Sequence, residues 1–205
     1  MDFDAPTRRT VVCTGNSHKV SELALLLPDL ALEPLKPGTR LPPEIGNTFL
    51  DNARIKAHAG AAMHPDIWVI ADDSGLIVDA LDGRPGVHSA RFAGPAATDD
   101  ENVQLLLERL RPYPDPELRT ARFACTLVLV APDGSEVIAE GTVEGRIVHE
   151  PVGDAGFGYD PVFVPVGHEL TFAQLGDETK STMSHRANAA RALRAQLPEA
   201  EAVPR

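Results

Sequence analysis

Val69-Ile70-Ala71-Asp72-Asp73-Ser74-Gly75-Leu76-Ile77-Val78 constrains this chain more than any other stretch. Its β-branched flanks suit a buried strand, and nothing in that preference calls for adjacent carboxylates. The pattern predicts a strand that climbs into Asp72-Asp73, a break at Ser74-Gly75, and a second strand that leaves. Successive side chains on a strand point to opposite faces, so one Asp can face a cleft while the other fixes the turn. A carboxylate at a strand's C-terminal edge, beside a Gly that lets backbone approach a ligand, suits a Mg2+ anchor. The same residues equally make an Asp-Ser-Gly turn between two strands, and the stretch alone leaves both open.

Composition narrows the classes. The 205 residues fit one domain, 1–205, with room for two lobes, a sizeable core and flexible tails at 1–7 and about 199–205. A formal charge of −11 argues against binding nucleic acid polymers or anionic membranes, which needs a basic field. A small anion in a local basic pocket is still allowed. Met1 to Thr7 is polar and acidic, unlike a secretory signal, and apolar runs such as 126–131 are too short to span a bilayer. Cys13 and Cys125 sit in apolar β-like runs and read as buried free thiols of a cytosolic protein. Only four of the nineteen basic residues are Lys (Lys19, Lys36, Lys56, Lys180), and Lys is the compact point charge suited to phosphate oxygens.

In chain order, Arg9 to Cys13 reads as a strand, followed by Thr14-Gly15-Asn16-Ser17-His18-Lys19 and a helix through Leu23, Leu26 and Leu27 that ends at Pro28. Asn16 or Ser17 would cap it. Strand, Gly turn, helix N-terminus and Lys make a phosphate cradle or a plain β–α turn; the spacing is not that of a P-loop. After a Pro/Gly loop from Pro34 to Pro43, Thr48 and Asp51 form a capping box for a helix to about Met63. Phe49, Asn52, Ala53, Lys56, Ala57 and Gly60 share one of its faces, so Lys56 either snorkels out or meets a ligand. Glu44, just ahead, is a second candidate metal carboxylate or a partner of the helix dipole.

Ala80 to Phe92 reads as a loop, and Thr98 with Glu101 caps a helix to Arg111 through Val103, Leu106, Leu107 and Leu110. A stiff Pro112–Pro116 linker leads to an antiparallel pair, 119–130 and 135–149, assigned to scaffold. Gly153 to Phe163 is Gly-rich, with Phe157 and Tyr159 offering flat faces for a base, or it simply closes a sheet edge. Ser184 caps a last helix with an Ala189, Leu193, Leu197 stripe. His185 and Arg186 in its first turn, with Lys180 upstream, put cations where a helix favours anions, as a docking point or as solvated charge. No zinc-like spacing occurs, so any metal would be oxygen-liganded.

These motifs, in this order, resemble the inosine triphosphate pyrophosphatase family, the XTP/dITP diphosphatases. The likeness rests on Thr14 to Lys19 with Glu22, Glu44 to Phe49 with Asn52-Ala53 and Lys56-Ala57, and Ala71 to Leu76. It continues through Pro85-Gly86 with Ser89-Ala90-Arg91, Phe157 to Pro161, and Lys180 with Ser184-His185-Arg186. The resemblance implies an α/β fold with a mixed twisted central sheet flanked by helices, two lobes with a substrate cleft between them, and a cytoplasmic homodimer. It implies Mg2+-dependent hydrolysis of ITP, dITP and XTP to the monophosphate and pyrophosphate.

Carried over residue by residue, Thr14, Gly15, Asn16, Ser17, His18 and Lys19 cradle phosphates, and Glu44 and Asp73 bind Mg2+. Asp73 is the proton acceptor, with Lys19 and Glu44 beside it in the catalytic set. Ser74 contacts substrate and Lys56 lies by the phosphates. Phe157, Gly158, Tyr159, Asp160, Lys180, His185 and Arg186 hold the nucleoside, the purine 6-oxo group being read near the last two. Gln174 and Ala187 depart from the family pattern by the base pocket. A Maf-like nucleotide pyrophosphatase and a nucleotide sensor without turnover are the competing readings; the intact Ser184-His185-Arg186 opposes the first, and Asp73, Glu44 and Lys19 the second.

Overall fold

The computed structural model describes residues 8–197; the expected flexible tails, 1–7 and about 199–205, lie outside the described residues. The described residues build a six-stranded sheet in the order β2-β1-β3-β4-β5-β6. Strand β1 (Arg8–Val12) is parallel to β2 (Leu30–Pro34) and to β3 (Trp68–Val78), in register Thr10 to Leu32 and Thr10 to Trp68. Helix α1 (Ser17–Leu26) connects β1 to β2, and α2 (Phe49–Met63) lies between β2 and β3 in the chain. The long pair β4 (Thr120–Val130) and β5 (Glu136–Ile147) are neighbours, and their turn closes through Ala131 N–H to the Ser135 carbonyl. Short β6 (Phe163–Pro165) adds antiparallel to β5, so the sheet is mixed. Its edge strands β2 and β6 both end in Pro, which a central strand would not tolerate.

The chain divides into two compact units. The first holds the chain up to Asp73, Thr126–Glu140 and the segment from Ala189; the second holds Ser74–Cys125 and Gly141–Asn188. In the first, Val11, Val69, Ala71, Val128 and Val130 of the sheet and Cys13, just past β1, pack with Ala53 and Ala57 of α2. The small face of α2 permits this approach: a Cβ on Gly60 would lie 2.2 Å from Cys13 Sγ. Thr48 and Asp51 form the expected capping box. In the second unit, α3 (Asp99–Arg109) starts from the Thr98–Glu101 capping box and buries Val103 and Leu106 beside Leu76, Phe123, Phe163 and Phe172. Helix α4 (Phe172–Met183) kinks at Gly176, whose φ of 77° breaks the helical path, and Ser184 separates it from α5 (His185–Arg194).

Four expectations change. β3 runs unbroken through Asp72-Asp73-Ser74-Gly75, because β1 and β4 flank it and the ladder outweighs the local turn preference of those residues. β2 and α4 carry too weak a sequence period to be read, and both are present. The loop at 80–92 is shaped by short 3-10 turns at Asp79–Leu81 and Gly86–Arg91. α5 stops at Arg194, so Leu197 does not extend its stripe. Among the described residues no helix is long and apolar enough to cross a membrane, and both cysteines are free and buried.

Candidate active site

In the first unit the chemistry gathers on β3 and the two helices beside it. Asp72 and Asp73 are neighbours on one strand and therefore face opposite ways; neither makes a turn, and both are buried. Asp72 Oδ2 lies 2.8 Å from Lys19 Nζ. Lys19 is reached through the N-terminus of α1, where Asn16 is the cap: its Oδ1 accepts from the N–H groups of His18 and Lys19 at 2.9 and 3.3 Å. Thr14 Oγ1 accepts from the Asn16 N–H. The cap thus occupies two N–H groups that a bare cradle would offer to a phosphate. Gly15, Ser17 and His18 are exposed beside them.

Asp73 belongs to a second cluster, with Glu44, Asn52 and Lys56. Lys56 does not snorkel; it is only 4% exposed, and its Nζ lies 2.5 Å from Glu44 Oε1 and 3.7 Å from Asp73 Oδ1. Burial alone would lower its pKa, but Asp72, Asp73 and Glu44 outweigh burial and hold the ammonium above its ordinary value. Burial raises the Asp73 carboxyl above its ordinary value, opposed by Lys56 and Lys19. The sulfur of Cys13 lies under the same helix, its thiol pushed up to about 11 by burial. Among the described residues no group of three or more Asp, Glu, His or Cys is gathered as a metal cage. Mg2+ does not require one, since it is commonly held by one or two carboxylates, waters and substrate phosphates. Glu44 and Asp73 meet that need: both contact one ammonium, so both face the same small volume with hard oxygen donors.

The second unit carries the remaining candidates. Asp160 Oδ2 accepts from Lys180 Nζ at 2.7 Å and from the Phe157 N–H at 2.9 Å. Gly156 must be Gly for this, since a Cβ there would lie 2.2 Å from the same oxygen and its φ is 79°. Lys180 Nζ stands 4.5 Å from the Phe157 ring centroid, so it is paired and is not a loose cation awaiting an anion at α5. Tyr159 offers no flat face to a base: it is 5% exposed, and its hydroxyl donates to the Ser89 carbonyl at 2.9 Å. The Gly158 N–H donates to Asp99 Oδ2 at 2.7 Å. At α5, Arg186 Nη2 donates to Ser74 Oγ at 3.0 Å, and the His185 ring stacks on Phe123 at 4.9 Å.

The two departures have separate places. Gln174 completes a capping box with Thr171 at the start of α4, a role either Gln or Glu fills. Ala187 is buried, and its N–H donates to Ser184 Oγ, the expected cap of α5. Four contributors escaped sequence reasoning as site residues: Asp72 beneath Lys19, Asn52, Phe123 and Asp99. Asp72 and Asn52 each left a signal, the one as a carboxylate adjacent to Asp73 and the other as an amide on the packing face of α2.

An open mixed sheet flanked by helices, with carboxylates and ammoniums paired around its third strand, defines an α/β protein of the open-sheet class. The Ham1 family model matches residues 10–196, and the chain belongs to that family. The dITP/XTP pyrophosphatase of Bdellovibrio bacteriovorus is 45% identical over 193 residues, covering 91% of this chain and 96% of that protein. The solved Ham1 protein of Staphylococcus aureus matches with a TM-score of 0.80 at 38% identity, over 92% of this chain and 97% of its own. A Ham1 protein from Coxiella burnetii gives 0.81 at 38% identity, over 92% and 98%.

Proposed function

We propose that the protein is a Mg2+-dependent pyrophosphatase that hydrolyses ITP, dITP and XTP to the nucleoside monophosphate and pyrophosphate, removing them from the nucleotide pool. The observation that carries this is the buried Lys56 ammonium in contact with both Glu44 and Asp73, in a chain whose relatives are named dITP/XTP pyrophosphatases. Glu44 and Asp73 would hold the Mg2+, which supplies charge neutralisation at the phosphates. Lys19, from the Thr14–Lys19 segment, and Lys56 add positive charge for the same phosphates. Asp73 takes the proton of the attacking water as general base.

The nucleoside is held by the 157–160 loop and Lys180, with the base read by donors from His185 and Arg186. Donors suit a 6-oxo purine and meet the amino group of adenine unfavourably. Phe157 contributes its ring, while Tyr159 supports the loop from beneath through Ser89. The enzyme acts in the cytoplasm as a homodimer.

The test is pyrophosphate release from ITP, dITP, XTP, GTP, ATP and dTTP, with and without Mg2+, by wild type and Asp73→Asn. Turnover of the first three that needs Mg2+ and is absent in the variant is the expected result. Preference for dTTP would instead favour a Maf-like enzyme, and tight ITP binding without turnover would reject the catalytic assignment.

A further inference from the structure

Asn52 is fully buried on α2, one turn before Lys56 on the same face. Its Oδ1 accepts from the Gly46 N–H at 2.8 Å, and its Nδ2 donates to Asp73 Oδ2 at 3.0 Å. The orientation of the amide follows from chemistry: a backbone N–H can only donate, so the carbonyl end faces Gly46 and the NH2 end faces the carboxylate. Gly46 is itself required for this approach, since a Cβ there would lie 2.7 Å from Asn52 Oδ1 and 2.5 Å from Asp51 Cβ. Gly46 stands two residues after Glu44.

Helix α2 therefore ties the Glu44–Gly46 segment to Asp73 twice, through the Lys56 ammonium and through the Asn52 amide. The two links differ in kind. A divalent cation between the carboxylates competes with the ammonium, because like charges repel and both seek the same oxygens. It has no quarrel with a neutral amide that holds the far oxygen of Asp73.

We propose that Asn52 is a positioning residue for the cation site: it holds Asp73 and the Glu44 segment in register when Lys56 yields its contacts to the metal. This rests on the assignment of Glu44 and Asp73 as metal ligands. Groups that orient metal ligands commonly change metal affinity by about 10- to 100-fold when removed.

The experiment is a Mn2+ titration of the full chain followed by the electron paramagnetic resonance of free Mn2+, paired with calorimetric binding of ITP in EDTA. The proteins are wild type, Asn52→Leu, Gly46→Ala and Asp73→Asn. Gly46→Ala reaches the same amide by crowding, without changing its chemistry, and serves where Asn52→Leu folds poorly. Expected is Mn2+ binding weakened about 10- to 100-fold by either variant, with metal-free ITP affinity within about threefold of wild type. Unchanged Mn2+ binding in both, while Asp73→Asn loses it, would overturn the role of Asn52 alone. Parallel loss of Mn2+ and metal-free ITP binding would reduce Asn52 to general support and overturn it too. Unchanged Mn2+ binding in Asp73→Asn would remove the metal assignment, and this inference with it.

Discussion

The Lys180–Asp160 pair tests whether the 157–160 loop is held by charge. Both side chains are almost completely buried, at 4% and 2% exposure, and Nζ–Oδ2 is 2.7 Å. Lys180→Met removes the ammonium and leaves a carboxylate in the interior with the Phe157 N–H still donating to it. It also removes the contact with the Phe157 ring. Breaking one side of a buried pair costs about 3–5 kcal/mol, because the remaining charge is stranded away from water. With a urea dependence of about 1–3 kcal/mol per molar, the unfolding midpoint should fall by more than about 1 M. Asp160→Asn with Lys180→Met leaves no stranded charge and retains an acceptor for Phe157. The double variant should therefore recover most of the loss, its destabilisation falling well below the sum of the two single losses. Urea denaturation of wild type, both single variants and the double variant measures it. Single losses below about 1 kcal/mol that add in the double variant would refute the account, since that is how a solvated surface pair behaves.

Two further perturbations follow from the first unit. Alanine normally favours a helix over glycine by about 1 kcal/mol, yet Gly60→Ala should lower the melting temperature, because its Cβ would meet Cys13 Sγ at 2.2 Å and Val69 Cγ1 at 2.7 Å. Adding Cys13→Ala should recover part of that loss; a gain from Gly60→Ala alone would show the packing to be looser than described. The Cys13 thiol, raised to about 11 against an ordinary 9.0, should resist alkylation at pH 8 until the protein is unfolded. The sign for stability follows: the native chain keeps a proton that the unfolded chain gives up, so the thiol's contribution is complete below about pH 9 and is lost as pH rises to about 11. Rapid native labelling, or no fall in alkaline denaturation midpoint relative to Cys13→Ala, would contradict this.

What could be read from the sequence divides along a physical line. Features written within one turn of chain were legible: the Thr48–Asp51 and Thr98–Glu101 capping boxes, the Asn16 and Ser184 caps, and the mixed face of α2. Features decided by partners distant in sequence were not. Asp72-Asp73-Ser74-Gly75 carries the local chemistry of a turn, and only the flanking strands β1 and β4 make it the middle of β3. Lys180 reads as one of three loose cations until Asp160, twenty residues earlier, is found against it. Phe123 lies in what reads as plain scaffold, and its stacking on His185 depends on a contact across 62 positions that no local pattern records. Asn52 falls between these cases. An amide on a packing face announces that something polar must meet it, because burying it unpaired costs about 1–3 kcal/mol. The helix period shows which face it takes, but not that Gly46 and Asp73 are the two groups waiting there. A buried polar residue on a small apolar helix face is thus a local sign of a distant partner, and here that partner is the carboxylate on which the proposed chemistry turns.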